Sequence, residues 1–305
     1  MLVEVLISTY NGEKYIERQI NSIIGQNDVD IHVTVRDDGS QDSTVNVLTQ
    51  LKDKYPNKIS VFAETNVGYK KSFLNLLQLA SKADYYSYSD QDDIWLPNKL
   101  ISAVSQLSSV DSTIKLYSSN LNIVDSNLKL LYKTRFKKER TNIYSEIVRH
   151  RFAGCTFLFS EDLKNLVYSI SEKYVDANLL PGHDCLMTFV AFTFGKVCLD
   201  ENSYINHIRY EDSVTAGGNG LYKRFKVEYR HIFSRRNNRS ELCRYLLSYE
   251  SLPAANNEIL NVFKQISGYK DSLLKRLHLL IDTRYKSGLF LADLGFKVKV
   301  ILGIL

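Results

Sequence analysis

Cysteine is scarce in this chain of 305 residues, and none of the four is placed in CxxC spacing. That excludes a disulfide framework and a thiolate zinc cluster as the organising feature. Cys155, Cys185, Cys198 and Cys243 read instead as free thiols of a reducing cytoplasm. No GxGxxG follows the first apolar run and no GxxxxGKS/T occurs anywhere, which counts against a dinucleotide oxidoreductase and a P-loop NTPase. HExxH and GxSxG are absent too. Long apolar runs are missing: the longest, Leu289 to Leu305, is interrupted by Asp293, Lys297 and Lys299 and is short for a bilayer span. The opening MLVEVLISTY has no basic leader and carries Glu4 inside its apolar run, so it reads as a strand rather than a signal peptide.

What is present is the composition of a soluble globular protein, with 44% hydrophobic and 24% charged residues, enough for one large domain or a domain with an appendage. Twenty tyrosines suit an extended polar groove without requiring one. The net charge of +5 conceals an asymmetry. From Leu221 onward there are sixteen Lys and Arg against seven Asp and Glu, whereas the preceding residues hold 23 against 27. Two regions with different roles are implied, 1–217 and 218–305.

Strand and helix patterns alternate through the first third. Leu2 to Ile7, Asp30 to Arg36, Lys58 to Ala63 and Tyr85 to Ser89 read as strands. Glu13 to Gln26, Gln41 to Lys54 and Val67 to Ser81 read as helices between them. This order predicts an α/β fold with a mostly parallel sheet covered by helices and ligands at the carboxyl ends of its strands. Ser8-Thr9-Tyr10, Asp37-Asp38-Gly39-Ser40, Asn66-Val67-Gly68 and Asp90 to Asp93 all fall at those ends. Further along, Ile114 to Ser119, Leu128 to Tyr132, Phe152 to Ser160 and Lys196 to Ile205 look like strands, and Glu161 to Ser169 and Cys185 to Phe194 like helices. After the glycine-rich linker Ala216 to Gly220, four helices are expected, Leu221 to Phe233, Glu241 to Tyr249, Asn257 to Ser267 and Asp271 to Arg284.

The stretch YYSYSDQDDIWLPNKL, Tyr85 to Leu100, carries the sharpest chemistry. Carboxylates crowded at a strand end repel one another and call for a cation or a strongly polar ligand. Oxygen ligands suit a hard divalent ion such as Mg or Mn. A solvated acidic turn capping the next helix is the alternative, and convergence with the other polar clusters favours the site.

The segments VLISTYNGEKYIERQINSII, VRDDGSQDST, NVGYKKSFLN and SDQDDIWLPNKL resemble, in order and spacing, the family-2 glycosyltransferases, which use the GT-A fold. The resemblance runs from about Val3 to Gly217. It implies that Ser8 and Tyr10 hold the pyrimidine of a sugar nucleotide, that Asp38 accepts from its N3–H, and that Asn66, Gly68 and Lys71 meet the diphosphate. Local packing of Tyr10, helix capping by Asp38 and a merely solvated Lys71 are the plainer readings. Asp92 matches the metal-contacting carboxylate, with Asp90 on ribose or metal-bound water and Asp93 on the donor sugar or strand end. Trp95 lines the sugar pocket or packs beneath the loop. The base that removes the acceptor's proton is carried to Asp184, with His183 standing where an acidic residue is usual; His183 orients it, meets the acceptor or serves as base itself. A helix-capping role for the pair is the alternative. Gly154, in FAGC, resembles a small-residue loop under the acceptor sugar, and His207 or Tyr210 lies where relatives close over bound donor.

The expected activity is therefore metal-dependent, inverting transfer of a hexosyl or deoxyhexosyl group from a UDP- or dTDP-sugar to a glycan acceptor, on a lipid carrier or a glycoprotein, in bacterial cell-surface polysaccharide or glycoprotein assembly. The basic tail, with Arg224, Arg230, Arg235, Arg236 and Arg239, would meet a membrane surface, a second copy or a glycoprotein, or is simply solvated. The location expected is cytoplasmic, at the inner face of the membrane. No nucleic-acid reader module is recognisable. Two other classes compete: a noncatalytic sugar-nucleotide or glycan-binding module on the same fold, which would bind donor without turnover, and a nucleotidyltransferase, which would need a glycine-rich basic loop where this chain has STYNGEKY.

Overall fold

The protein was analysed as a computed structural model, which describes residues 1–136, 141–173, 181–209, 229, 232–233, 239–249 and 257–305. Tyr210, the linker Ala216 to Gly220, the boundary at 217/218, most of the expected helix Leu221 to Phe233, and Arg224, Arg230, Arg235 and Arg236 lie outside the described residues.

The centre of the sheet is β1 (Leu2–Thr9), paired in parallel with β2 (Asp30–Asp37) on one side and β4 (Tyr85–Ser89) on the other; β3 (Ile59–Ala63) extends the parallel block beyond β2. A strand flanked on both edges and covered on both faces must be apolar nearly throughout. Accordingly Val3, Val5 and Ile7 face one core and Leu6 the other. Glu4 is the exception, fully buried and held by His32 Nδ1 at 2.8 Å and by the Thr34 hydroxyl. Helices α1 (Ile16–Ile24), α2 (Thr44–Lys54) and α4 (Lys99–Ser108) cover the first face, α1 through Ile16, Ile20 and Ile23 at helical spacing. Helix α3 (Tyr69–Leu79) covers the second.

Beyond β4 the sheet becomes mixed. Its order is β3-β2-β1-β4-β8-β6-β9-β5, with β7 on β6; here β5 is Ile94–Trp95, β6 Lys115–Val124, β7 Leu130–Lys133, β8 Leu158–Phe159 and β9 Lys196–Ile208. The expected strand Phe152 to Ser160 is mostly a tight turn, Gly154–Thr156, with only Leu158 and Phe159 paired. Helices α5 (Ile143–Val148), α6 (Glu161–Lys173) and α7 (His183–Phe194) pack on the second face. The same core continues into α8 (Arg239–Ser248), α9 (Asn257–Ser267), α10 (Leu273–Ile281) and α11 (Phe290–Leu302), through Leu242, Phe263, Leu279 and Phe296. Among the described residues the C-terminal helices thus share a core with the sheet, and no helix is long and apolar enough to cross a membrane.

Because Ile20 is fully buried on the α1 stripe, Ile20→Ala should destabilise the protein by roughly 2–5 kcal/mol, read from denaturant unfolding.

Candidate active site

The chain runs outward from β1 to β2 and β3 and then returns to β4 on its other side, so the crevice outside the carboxyl ends of β1 and β4 is where an open α/β sheet receives ligands. At the end of β1 the Ser8 and Ser72 hydroxyls share a hydrogen bond of 2.6 Å. The side-chain oxygen of Gln91 accepts from the Thr9 hydroxyl at 2.6 Å and from Tyr10 N at 2.9 Å, and its amide donates to Tyr10 O at 3.2 Å. Gln91 therefore ties the acidic loop to β1 and leaves the Tyr10 ring exposed. Asp38 is buried, and Arg36 Nη1 donates to its Oδ1 at 2.6 Å. The amides of Val67 and Gly68 donate to Oδ1 and Oδ2, each at 2.9 Å. A carboxylate oxygen has two lone pairs, so Oδ2, with one amide, keeps acceptor capacity. Asn66 Oδ1 also takes the Gly68 amide, at 3.2 Å, and Lys71 lies exposed on the first turn of α3.

The acidic loop is the electrostatic centre. Antiparallel pairing of Ile94 with Asn206 brings the end of β9 alongside it, and His207 Nδ1 lies 2.8 Å from Asp93 Oδ1. Asp93 is fully buried, and its Oδ2 has no hydrogen-bond partner among the described residues. Burial, then the charges of Asp93 and Asp92, push the Asp90 carboxyl up to about 7. Asp92 is raised by burial and by Asp93. His207 is drawn down by burial, but its bond to Asp93 and the neighbouring charges lift it to about 9. Asp90, Asp93, Cys155 and His207 place ligand atoms within 4.8 Å of one another; Asp92 is not in that group. Burial and the adjoining carboxylates push the Cys155 thiol well up, which keeps it a neutral thiol. Two carboxylates and an imidazole, with an orphaned oxygen and mutual repulsion to relieve, fit a divalent cation.

Beneath the loop, Trp95 is buried, and Lys99 Nζ lies 3.6 Å from its ring centroid while donating to Ser87 Oγ at 3.0 Å. Trp95 thus takes the packing position of its two sequence readings. Burial lowers the Lys99 ammonium to about 7.

Helix α7 supplies the second centre. Its own Cys185 amide donates to Asp184 Oδ1 at 2.7 Å, and a Cβ at Gly182 would fall 2.6 Å from that oxygen, so a side chain there would displace the carboxylate. Asp184 Oδ2 faces His150 Nε2 at 3.2 Å, an ion-pair contact rather than an aligned hydrogen bond. Burial favours the neutral acid, yet His150 outweighs it and holds Asp184 well below the usual carboxylate range. His183 stacks on Phe73 with centroids 3.9 Å apart and meets Tyr88 edge-on; burial lowers it to about 4, so it is a neutral core ring. Gly154 makes room for it, since a Cβ there would lie 2.6 Å from His183 Nε2. The charge of Asp184 also reaches Asp90. Sequence reasoning missed Arg36, Gln91, Lys99, Cys155, Glu146 and His150. Only Glu146 and His150 left a signal, their spacing of four residues.

Residues 4–167, just over half of the chain, match the family model described as glycosyl transferase family 2. The chain belongs to that family. Among curated proteins, this family member is 40% identical to the dTDP-rhamnosyl transferase RfbG of Shigella flexneri over 119 residues, 38% of this chain and 40% of the relative. It is 34% identical over 157 residues to an uncharacterized glycosyltransferase of Nostoc sp., covering 51% and 48% of the two chains. The chain thus spans less than half the length of these two relatives in the matched segments. Its fold resembles that of S. aureus TarS 1-349 in complex with UDP-GlcNAc, with a TM-score of 0.56 and 17% identity over 100% of this chain and 82% of that one. A mannosyltransferase from Pyrobaculum calidifontis in complex with GDP-Man and Mn2+ gives 0.52 and 15% over 99% and 76%. The expected GT-A architecture is the one observed.

A lysine whose folded value lies below its unfolded one is less stabilising wherever the unfolded chain binds the extra proton, so its cost shrinks as pH rises from about 7 towards 10.5. Lys99→Met should therefore raise the melting temperature more at about pH 7 than at about pH 10.

Proposed function

We propose that this glycosyltransferase-family protein catalyses inverting transfer of a hexosyl or deoxyhexosyl residue from a UDP- or dTDP-sugar to a glycan acceptor in bacterial cell-surface polysaccharide or glycoprotein assembly. The observation that carries the proposal is an acidic loop suited to a divalent cation together with a separate, ionised carboxylate, Asp184 on α7, whose charge reaches Asp90. The relative named as a dTDP-rhamnosyl transferase and the neighbour holding UDP-GlcNAc support the donor class. Tyr10 offers an exposed ring and Asp38 Oδ2 an acceptor for the pyrimidine; Asn66, Gly68 and Lys71 border the diphosphate path. Asp90, Asp93 and His207, with Asp92 beside them, would hold Mn or Mg, which when bound neutralises the nucleoside diphosphate leaving group. Asp184 takes the proton of the attacking hydroxyl as the bond to the sugar's anomeric carbon forms and the bond to the diphosphate breaks, inverting that centre. Gly154 borders this carboxylate on the acceptor side. A solely binding module has no use for such a carboxylate.

Asp184→Asn should bind UDP within about twofold of the native protein by calorimetry and lose transfer by at least roughly 10²-fold. A variant transferring at the native rate would move the base elsewhere. Asp90→Asn and Asp92→Ala should each weaken Mn-dependent turnover across UDP-glucose, UDP-galactose, UDP-N-acetylglucosamine and dTDP-rhamnose, and undiminished rates for either would remove that residue from the metal set.

We further propose that α10 and α11 rest on an anionic membrane surface bearing a lipid-linked acceptor. Leu273, Leu274, Leu277 and Ile281 form an exposed stripe on α10, the first of them 76% exposed. A groove brings Ile281, Phe290 and Leu294 together with Lys286 and Lys297. Residues 257–305 carry eight Lys and Arg against four Asp and Glu. Apolar side chains ringed by cations fit a headgroup layer. Sedimentation with vesicles of phosphatidylcholine and phosphatidylglycerol should capture the protein, vesicles of phosphatidylcholine alone should capture less, and Leu274→Ser with Ile281→Ser should abolish capture. Lipid-independent dimerisation through the same stripe would overturn the membrane reading.

A further inference from the structure

We propose that His150, clamped between Glu146 and Asp184, is the positioning residue of the candidate base. The inference rests on the reading of Asp184 as that base. It starts from a one-and-a-half-turn helix. Asn142 caps α5 by accepting from Ser145 N at 3.0 Å, while Ser145 Oγ accepts from Asn142 N, so the helix start is fixed by a reciprocal pair. Glu146 and His150 then fall four residues apart, on one side of the chain. Glu146 is buried and bonds His150 Nδ1; Thr188 Oγ1, from α7, donates to Glu146 Oε1 at 3.1 Å. The opposite ring nitrogen, Nε2, faces Asp184 Oδ2 at 3.2 Å.

A neutral imidazole has one N–H and one lone pair, so between two carboxylates it would set one lone pair against another. Only the imidazolium satisfies both sides, and although burial opposes it, Glu146 and Asp184 raise His150 well above its ordinary value. Asp184 is then fixed twice, at Oδ1 by the Cys185 amide and at Oδ2 by the imidazolium, while its carboxylate stays about one-third exposed. A mere staple between α5 and α7 would be better served by apolar side chains, since buried ion pairs recover little of their desolvation cost. His183 cannot do this work: its ring is locked against Phe73 and is neutral.

The other charges facing the pair are few. From α8, Arg239 Nη1 reaches Cys185 Sγ at 2.7 Å, and its charge is felt with that of Glu146. Arg149 and Lys299 line a cavity of about 130 Å³ beside His150 and Arg239. From the sheet, Tyr88 is an un-ionised phenol and Asp90 is a carboxylate whose charge couples to that of Asp184. With His150 made neutral, burial and Asp90 both push the Asp184 carboxyl up. A base must be ionised, so activity is then lost at a higher pH as pH falls.

The test uses the full chain and compares His150→Gln and Glu146→Gln with the native protein and Asp184→Asn. In His150→Gln the acid limb of kcat/KM should rise by about one to three pH units and kcat should fall on the order of 10²-fold, with UDP affinity unchanged. Glu146→Gln, which leaves the imidazole in place, should shift the limb in the same direction by less. Nitrogen-15 NMR should find His150 carrying two protons at about pH 8 in the native protein and one in Glu146→Gln. If Asp184→Asn retains transfer, the base reading fails whatever His150 does. If Asp184→Asn is inactive while His150→Gln folds with native kcat and an unmoved acid limb, this inference alone fails. Should His150→Gln not fold, an unmoved limb in Glu146→Gln together with a singly protonated native His150 overturns it.

Discussion

Negative charge gathered at a sheet edge and partly withdrawn from water is the constraint around which the rest of the molecule is arranged. Asp90, Asp92 and Asp93 sit where β4 ends, and their mutual repulsion grows because burial removes the solvent that would screen it. Among the described residues, several basic side chains lie close to that charge or to a smaller copy of it. His207 is carried in by the pairing of β9 with β5, Lys99 lies under the loop against Trp95, and Arg36 holds Asp38 on the next strand. The loop holds more negative charge than its neighbours offset, a setting that a divalent ion with its diphosphate would complete under the proposed function.

The second acidic position is organised on the opposite principle. Around Asp184 the protein supplies its own positive charge, so the carboxylate is kept ionised without a metal. Two groups of the same chemical type are thereby pushed in opposite directions by their surroundings, Asp90 up and Asp184 down. In the proposed reaction that separation would let the acidic loop hold the leaving group while Asp184 takes the proton.

Local patterning made the first third of the fold legible. The apolar run in LVEVLIST and the stripe Ile16, Ile20, Ile23 record how each element meets its neighbours, and these are short-range properties. The acidic loop was legible for the same reason, because its carboxylates are adjacent in the chain. What could not be read were partnerships made across long loops. Nothing in a sequence pairs His207 with Asp93 or sets His150 against Asp184. The eye falls instead on His183, which adjoins Asp184 in the chain yet turns into an aromatic stack. FAGCTFLFS has strand composition, yet Gly154–Thr156 form a tight turn in which Gly154 lies close against His183, a contact made across a long loop. Lys99 carries no mark in the sequence; burial against Trp95 sets it apart.

The contact between Arg239 and Cys185 has a consequence for how the two halves of the chain could be recombined. A guanidinium from the first described helix of the basic segment ends one residue away from Asp184, inside the same core. The C-terminal helices are therefore foundation as well as appendage. A chimera that borrows this segment from a relative in order to change its docking habits would also inherit a new electrostatic setting around Asp184. Grafts that keep an arginine at that spot would preserve the setting; grafts that lose it would take from Glu146 a positive charge that now reaches it.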